Sequence, residues 1–314
     1  VTGVQTCALP IYGLSYIGGG ALATAWVASL WKVPSTLYSI SCGKEYQHKI
    51  KKNVLWNKDY FSHSTLSASK QMVRFEIFED GGDYTYKIHD LDDVKEELKK
   101  FLEMTGKEQY LKLPASNLIG FANKLTISSF NPQGRYNLLE LTKQIHTDGF
   151  IFLNRCELLM NTNLSFLLAL KYIESSQQSY VITLGKNGAI CYYANDRVWC
   201  FCPIVQSEPH ANTLGCGDAF AGGFLAAFMK YSSIAESMIL GTISAYLVTY
   251  APSNMITVWL ETISEADIFN KLLSSIEFFD TADKLIRYLH FRHDECVTWN
   301  ISSYLTNKFD WKVN

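Results

Sequence analysis

The stretch Asn212-Thr213-Leu214-Gly215-Cys216-Gly217-Asp218 runs straight into the apolar Ala219-Phe220-Ala221-Gly222-Gly223-Phe224. No other segment constrains the chain as much. A tight run of glycines opens an apolar helix and leaves one carboxylate at its mouth. Glycine lets a backbone approach a ligand without a Cβ in the way. The N–H groups of a first helical turn, with the positive end of the helix dipole, make a site for an anion such as phosphate. Asp218 then stands where a base takes the proton from a hydroxyl that attacks that phosphate. The alternative is a helix with a glycine-rich start and no ligand.

Around this junction the chain alternates. Ala21 to Leu30 reads as a helix and Ser35 to Ser41 as a strand. Met72 to Phe78 and Tyr84 to Ile88 are β-rich runs separated by Glu79-Asp80-Gly81-Gly82-Asp83, a hairpin signal. Asp92 to Met104 is charged and amphipathic, and a helix is expected from about Tyr136 to His146. Leu125 to Phe130, Phe150 to Leu153 and Tyr180 to Leu184 suit buried parallel strands, with a helix at Asn163 to Ser175 before the last. Cys191 to Tyr193 and Val198 to Cys202 flank the turn Asn195-Asp196-Arg197, and helices at Thr213 to Lys230 and Ile234 to Tyr250 close the core. Such alternation predicts an α/β layered fold with a mostly parallel central sheet flanked by helices, and ligands beyond the carboxyl ends of its strands.

Composition narrows the function. The chain has 314 residues, 48% of them hydrophobic, and a formal net charge of -2. It can bury a large core, and it carries no basic run suited to nucleic acid or an anionic membrane. Eight cysteines are present, one of them Cys7; the other seven form no C-x-x-C pair and lie mostly in apolar surroundings. That pattern predicts reduced, buried thiols in a cytoplasmic setting rather than disulfides. The sequons at Asn163 and Asn300 are then chance matches.

The segment from Asn212 resembles the D-T-x-G-A-G-D signature of the PfkB (ribokinase-like) carbohydrate kinases, with Asn212 for the first Asp and Cys216 for Ala. Three further segments agree in the family's order. Ile17-Gly18-Gly19-Gly20-Ala21-Leu22-Ala23-Thr24-Ala25 is similar to its substrate-side glycine turn. Asn154-Arg155-Cys156-Glu157 fits N-x-x-E, and Val181 to Ala189 fits the strand and turn beside the nucleotide. The resemblance implies a ribokinase-like fold with a small β-flap formed by segments near 12–20 and 67–90, in a domain ending at about 275. Residues 276–314 would be an extension of unknown role.

The same resemblance implies an ATP-dependent, Mg²⁺-requiring kinase acting on an alcohol of a sugar or sugar phosphate. Asp218 would be the base, and Gly215, Cys216 and Gly217 the anion hole. Asn154, Thr183, Gly185, Lys186, Gly188 and Asn212 would meet the nucleotide, and Glu157 with Asn154 would position Mg²⁺, which usually keeps several waters. Taken alone, Asn154 and Glu157 also read as a capping pair on a following helix. Gly18, Gly19, Gly20 and Thr24 would face the acceptor, with Thr24 where many relatives carry a substrate-binding Asn. Lys70 and Arg74 sit like the T-x-x-K-x-R segment of heptose-phosphate kinases and would meet a phosphate on the sugar; as plain edge-strand charges they would discourage aggregation.

Two alternatives stay open: a non-catalytic member that binds sugar or nucleotide, and a nucleoside or vitamin kinase on the same fold. A homodimer through the β-flap is expected, with no nucleic acid or membrane partner. Asn212 lacks the charge of the usual Asp and the loop Ala251 to Asn254 lacks a glycine, which together predict weak K⁺ activation. Val1 to Ile11 has the wording of a translated sequencing-adaptor oligonucleotide. The family's first strand and a substrate-binding Asp are therefore expected to be missing ahead of Tyr12.

Overall fold

Along four neighbouring strands, alternate residues face opposite sides of one sheet, and the two sides differ in kind. The strands are β9 (Phe150–Asn154), β10 (Ser179–Thr183), β11 (Ala189–Tyr193) and β12 (Val198–Cys202). Phe150, Phe152, Val181, Ala189, Cys191, Cys200 and Cys202 enter one buried cluster. Ile151, Leu153, Tyr180, Ile182, Ile190, Tyr192, Trp199 and Phe201 enter another. A period of two with both faces apolar is what a sheet covered by helices on each side requires.

The protein is described from a computed structural model covering residues 8–11, 14–17, 20–41, 59–68, 74–80, 83–89, 117–121, 124–128, 138, 149–206, 213, 215–250, 265–292 and 296–297. Ahead of the four strands come β1 (Ala8–Ile11), β2 (Leu14–Ile17), helix α1 (Gly20–Leu30), β3 (Ser35–Ser41) and β4 (Phe61–Ala68). β5 (Arg74–Asp80), β6 (Asp83–His89), β7 (Asn117–Phe121) and β8 (Lys124–Ser128) follow. The remaining elements are α2 (Arg155–Thr162), α3 (Phe166–Ser175), α4 (Cys216–Tyr231), α5 (Ile234–Tyr250), α6 (Glu265–Leu273), β13 (Glu277–Phe279) and α7 (Ala282–Phe291).

Among the described residues, the main sheet runs in the order β13-β12-β11-β10-β9-β8-β7. Its centre, β8-β9-β10, is parallel as expected, whereas the strands flanking that centre pair antiparallel. The sheet is therefore mixed. β1–β2 and β5–β6 pair as antiparallel hairpins, and β3–β4 pairs parallel. The β5–β6 hairpin runs from Arg74↔His89 to Asp80↔Asp83, at the turn the sequence marks. Ala8–Ile11, inside the adaptor-like segment, pairs with Leu14–Ile17.

Several expected boundaries move for local reasons. The helix expected from Asn163 begins at Phe166, because Asn163 itself ends α2 in the left-handed region (φ 53°). The helix expected from Thr213 begins at Cys216, because Gly215 at φ 85° cannot be helical. Residues 277–291, expected in an extension, belong to the layered unit. β13 pairs with β12 at the sheet edge, and Ala282 and Leu285 of α7 are fully buried beside α3. The helices expected at 92–104 and 136–146 lie outside the described residues, apart from helical Leu138.

Helix α4 holds the layers together. It packs against both α1 and α5, and Ala219 to Ala227 are all buried. Such proximity needs residues without side chains. A methyl group added to Gly222 would lie 2.6 Å from the Thr24 carbonyl and 2.8 Å from Val27 Cβ. One added to Gly223 would strike Ser244 Oγ and the Leu240 backbone of α5. Ser244 also accepts a 2.8 Å hydrogen bond from Trp31 Nε1, tying α1 to α5. On the sheet side, Phe224 makes edge contacts with Phe150 and Phe152 at 4.8 and 5.3 Å between centroids. Overpacking such a contact typically costs about 1–3 kcal/mol, so Gly223→Ala should lower the unfolding free energy by that amount, read as a lower urea midpoint with its slope unchanged. A midpoint equal to that of the unaltered protein would show that the α4–α5 contact is not close-packed.

Candidate active site at the sheet edge

The carboxyl ends of β9 and β10 lie side by side, with Asn154 paired in register with Thr183. Each strand then turns sharply. After β9 the chain enters α2 through a reciprocal cap: Glu157 N–H donates to Asn154 Oδ1, and Asn154 N–H donates to Glu157 Oε2, both at 2.7 Å. This satisfies two helix-end donors at once and explains why α2 starts here. It also fixes Glu157, which is buried while Asn154 is partly exposed.

After β10 the chain makes a single 3₁₀ turn, Gly185–Asn187, closed by Leu184 N–H on Gly188 O at 2.8 Å. Lys186 stands exposed on it. Gly188 is fixed by the fold itself. Its φ is 94°, and a methyl there would meet the Phe201 ring at 3.1 Å. The turn thus has a structural reason for one of its glycines.

Gly217 is different. It is exposed at the first turn of α4, its φ is not positive, and among the described residues a methyl there would touch nothing within 4 Å. Neither the described packing nor the backbone conformation demands glycine at this point. Gly215, before it, adopts φ 85° and is also open above. Among the three amides expected to form an anion hole, that of Cys216 donates to the Thr213 carbonyl at 3.2 Å. Asp218 occupies the third helical position, where the dipole favours a negative charge.

These ends meet electrically. Burial pushes the Glu157 carboxyl up from 4.5 to about 8, the Asn154 N–H opposes that, and the nearby Asp218 charge adds to the rise. Two carboxyl groups from α2 and α4 therefore share one region beyond the strand ends. A cation placed there would relieve both burial and repulsion. Burial and the Asp218 charge also push the Cys216 thiol up to about 12, so it is a neutral small residue rather than a nucleophile. The described cysteines, Cys156, Cys191, Cys200, Cys202, Cys216 and Cys296, are all free thiols. Cys202 Sγ lies 3.3 Å from Thr242 Oγ1 in the core.

Thr24 is not at a surface. It is 1% exposed, and its hydroxyl donates to the Asp218 carbonyl at 3.1 Å. Nothing in the sequence signals that bond between residues so far apart. Gly20 begins α1, and Arg74 begins β5. Gly18, Gly19, Lys70 and Asn212 lie outside the described residues. No helix among the described residues is long and apolar enough to cross a membrane.

The raised Glu157 carboxyl makes a pH prediction. Its proton is held more tightly in the folded state, so its contribution is full below about pH 4.5 and lost as pH rises through about 8. Without divalent cations, stability should fall by on the order of a few kcal/mol across that window. Glu157→Gln should flatten the fall in urea midpoints measured at pH 5 and pH 8; an undiminished fall in the variant would assign it to another group. For Cys216, the expected outcome is slow alkylation by iodoacetamide at pH 8 in the folded protein and rapid alkylation in urea. Equal rates would contradict the raised thiol.

Residues 149–259 match the profile of the pfkB family carbohydrate kinases. No curated protein matches the chain in sequence. Among solved structures, the fold is similar to a probable sugar kinase protein from Rhizobium etli CFN 42, with TM-score 0.59, 16% identity, and 79% of this chain and 84% of that one covered. It is similar to adenosine kinase from Sinorhizobium meliloti at TM-score 0.56 and 17% identity, with 79% and 84% covered. It is also similar to Arabidopsis thaliana ribokinase, solved with ribose and ATP, at TM-score 0.52 and 13% identity, with 84% and 95% covered. The chain has a ribokinase-like fold, and its segment 149–259, which carries Asn154, Glu157, Gly217 and Asp218, matches the pfkB family carbohydrate kinase profile.

Proposed function

We propose that this protein is an ATP-dependent phosphotransferase whose acceptor is an alcohol of a sugar or sugar phosphate. The observation that carries the reading is Gly217, a glycine in a helical first turn with open space above it among the described residues and no demand for it from their packing. A phosphoryl group approaching that turn is the occupant that glycine would admit.

In this reading the acceptor oxygen attacks the γ-phosphorus of ATP. The new O–P bond forms as the bond from that phosphorus to the bridging oxygen breaks, and ADP leaves. The acceptor's proton passes to the Asp218 carboxylate. The α4 N-terminus stabilises charge on the transferring group. Because the Cys216 amide already donates to Thr213, the Gly217 amide has the larger share of that work. Thr183, Gly185, Lys186, Gly188 and Asn212 are assigned to the nucleotide side on motif likeness.

Mg²⁺ suits the shared region of Glu157 and Asp218, because a divalent cation offsets the burial that chiefly raises Glu157 and the Asp218 charge that adds to it. Glu157 supplies the charge. Asn154 is committed through Oδ1 to the cap, so its part is to hold Glu157 in place. When bound, the ion would neutralise charge on the phosphates. Gly18, Gly19, Gly20, Lys70 and Arg74 are assigned to the acceptor side on motif likeness. The adenosine kinase among the similar structures favours a second reading, in which the acceptor alcohol belongs to a nucleoside.

Two substitutions test the reading. Asp218→Asn keeps size and hydrogen bonding but removes the proton acceptor, so turnover should fall by roughly 10²–10⁴-fold with nucleotide affinity little changed. Turnover within a few-fold of the unaltered protein would remove Asp218 as the base. Gly217→Ala should leave stability equal or raise it by up to about 1 kcal/mol, since alanine favours the helix, while turnover drops. If Gly217→Ala is as active as the parent with sugars, sugar phosphates and nucleosides alike, the phosphate-approach argument fails.

A further inference from the structure

Serine and threonine inside helices usually return their hydroxyl to a carbonyl of the same helix. Thr162 does so to Leu158 O and Ser244 to Leu240 O, each at 2.7 Å. Thr24 does not. Its hydroxyl leaves α1 and donates to the main-chain carbonyl of Asp218, 194 residues away. A carbonyl oxygen has two lone pairs and can take this bond beside its helical one.

The same residue is keyed to α4 a second time. The Thr24 carbonyl lies so close to Gly222 that a methyl on Gly222 would approach it to 2.6 Å. One turn of α4, from Asp218 to Gly222, is therefore seated on a single residue of α1. Trp26, Val27 and Ala28 bury the rest of that contact in the common core with Ala221 and Leu225.

Thr24 lies one turn into α1, which starts at Gly20 directly after Gly18 and Gly19. Asp218 lies in the first turn of α4. The two helix starts that present acceptor and phosphoryl group are thus joined through one buried hydroxyl. We infer that Thr24 is a positioning residue, which fixes the first turn of α4 and the Asp218 carboxylate against the first turns of α1. Acting through Asp218 rather than on substrate, it replaces the direct acceptor contact expected from the motif. The inference rests on the proposed role of Asp218 as base.

Thr24→Val keeps the shape and removes the hydroxyl; Thr24→Ser keeps the hydroxyl and removes a methyl. Misplacing a reacting group by about 1 Å can cost on the order of 10²-fold, so Thr24→Val should lower kcat by about 10–100-fold. KM for ATP and the pH midpoint of kcat should stay put, because neither nucleotide contacts nor the charge of Asp218 change. Thr24→Ser should recover most of the rate. Thr24→Ala gives the same comparison if valine does not permit folding. A folded Thr24→Val enzyme with kcat within about twofold of the parent, or a serine variant as slow as the valine one, overturns the inference. Amide hydrogen exchange supplies a readout independent of turnover: the amides of residues 218–222 should exchange at least about tenfold faster in Thr24→Val. Unchanged exchange also overturns the inference, whereas a parent protein without phosphotransfer but with faster exchange in the variant would remove the kinase reading and leave the α1–α4 tie standing.

Discussion

Everything at the candidate site depends on how closely α4 is held between α1, α5 and the sheet. A helix apolar on all sides must be covered on all sides, and three glycines make that possible at short range. Gly222 admits α1 and Gly223 admits α5, while Gly241 on α5 receives the Phe220 ring, with ring carbons 3.0 Å from where a methyl would stand. The sheet answers with small residues beneath α5, namely Ala189, Cys191, Cys200 and Cys202. The outcome is an α4 axis fixed in place, with its N-terminus at the edge where β9 and β10 end.

Electrostatics at that edge follow from the same fixation. Glu157 cannot swing away from Asp218, because its own carboxylate closes the cap of α2. A mobile carboxylate would relax into solvent; this one is held buried and its affinity for protons rises instead. The capping interpretation and the metal-site interpretation of Asn154 and Glu157 are therefore compatible: the cap is the device that holds the carboxylate where a cation would be drawn.

Much of this was legible in the residues, for identifiable reasons. Strand alternation at 180–202 and the mostly apolar α5 at 234–250 are carried by local pattern, and the turn at Gly215–Asp218 by glycine spacing. Other elements are not encoded locally. β4, Phe-Ser-His-Ser-Thr-Leu-Ser-Ala, has no apolar alternation, and its pairing with β3 makes it a strand. β13 is three residues long and exists because β12 offers it an edge. α7 is different again: Ala282 and Leu285 recur at helical spacing, so the pattern was present, but the family's usual end drew the boundary ahead of it. Thr24 shows the deeper limit. A hydroxyl's partner across 194 residues is a tertiary fact that no window of sequence contains.

That separation also bears on how the chain emerges during synthesis. From β7 to β13, neighbours in the main sheet are consecutive among the described strands, and from β8 to β12 they can pair soon after being made. α1 cannot find its partner so early. Its buried residues Ala25, Trp26, Val27, Ala28 and Trp31 await a helix 194 residues downstream, which at 5–20 residues per second means roughly 10–40 s. For that interval an indole-rich apolar strip lacks its final cover, and it is there that a ribosome-associated chaperone would have most to protect.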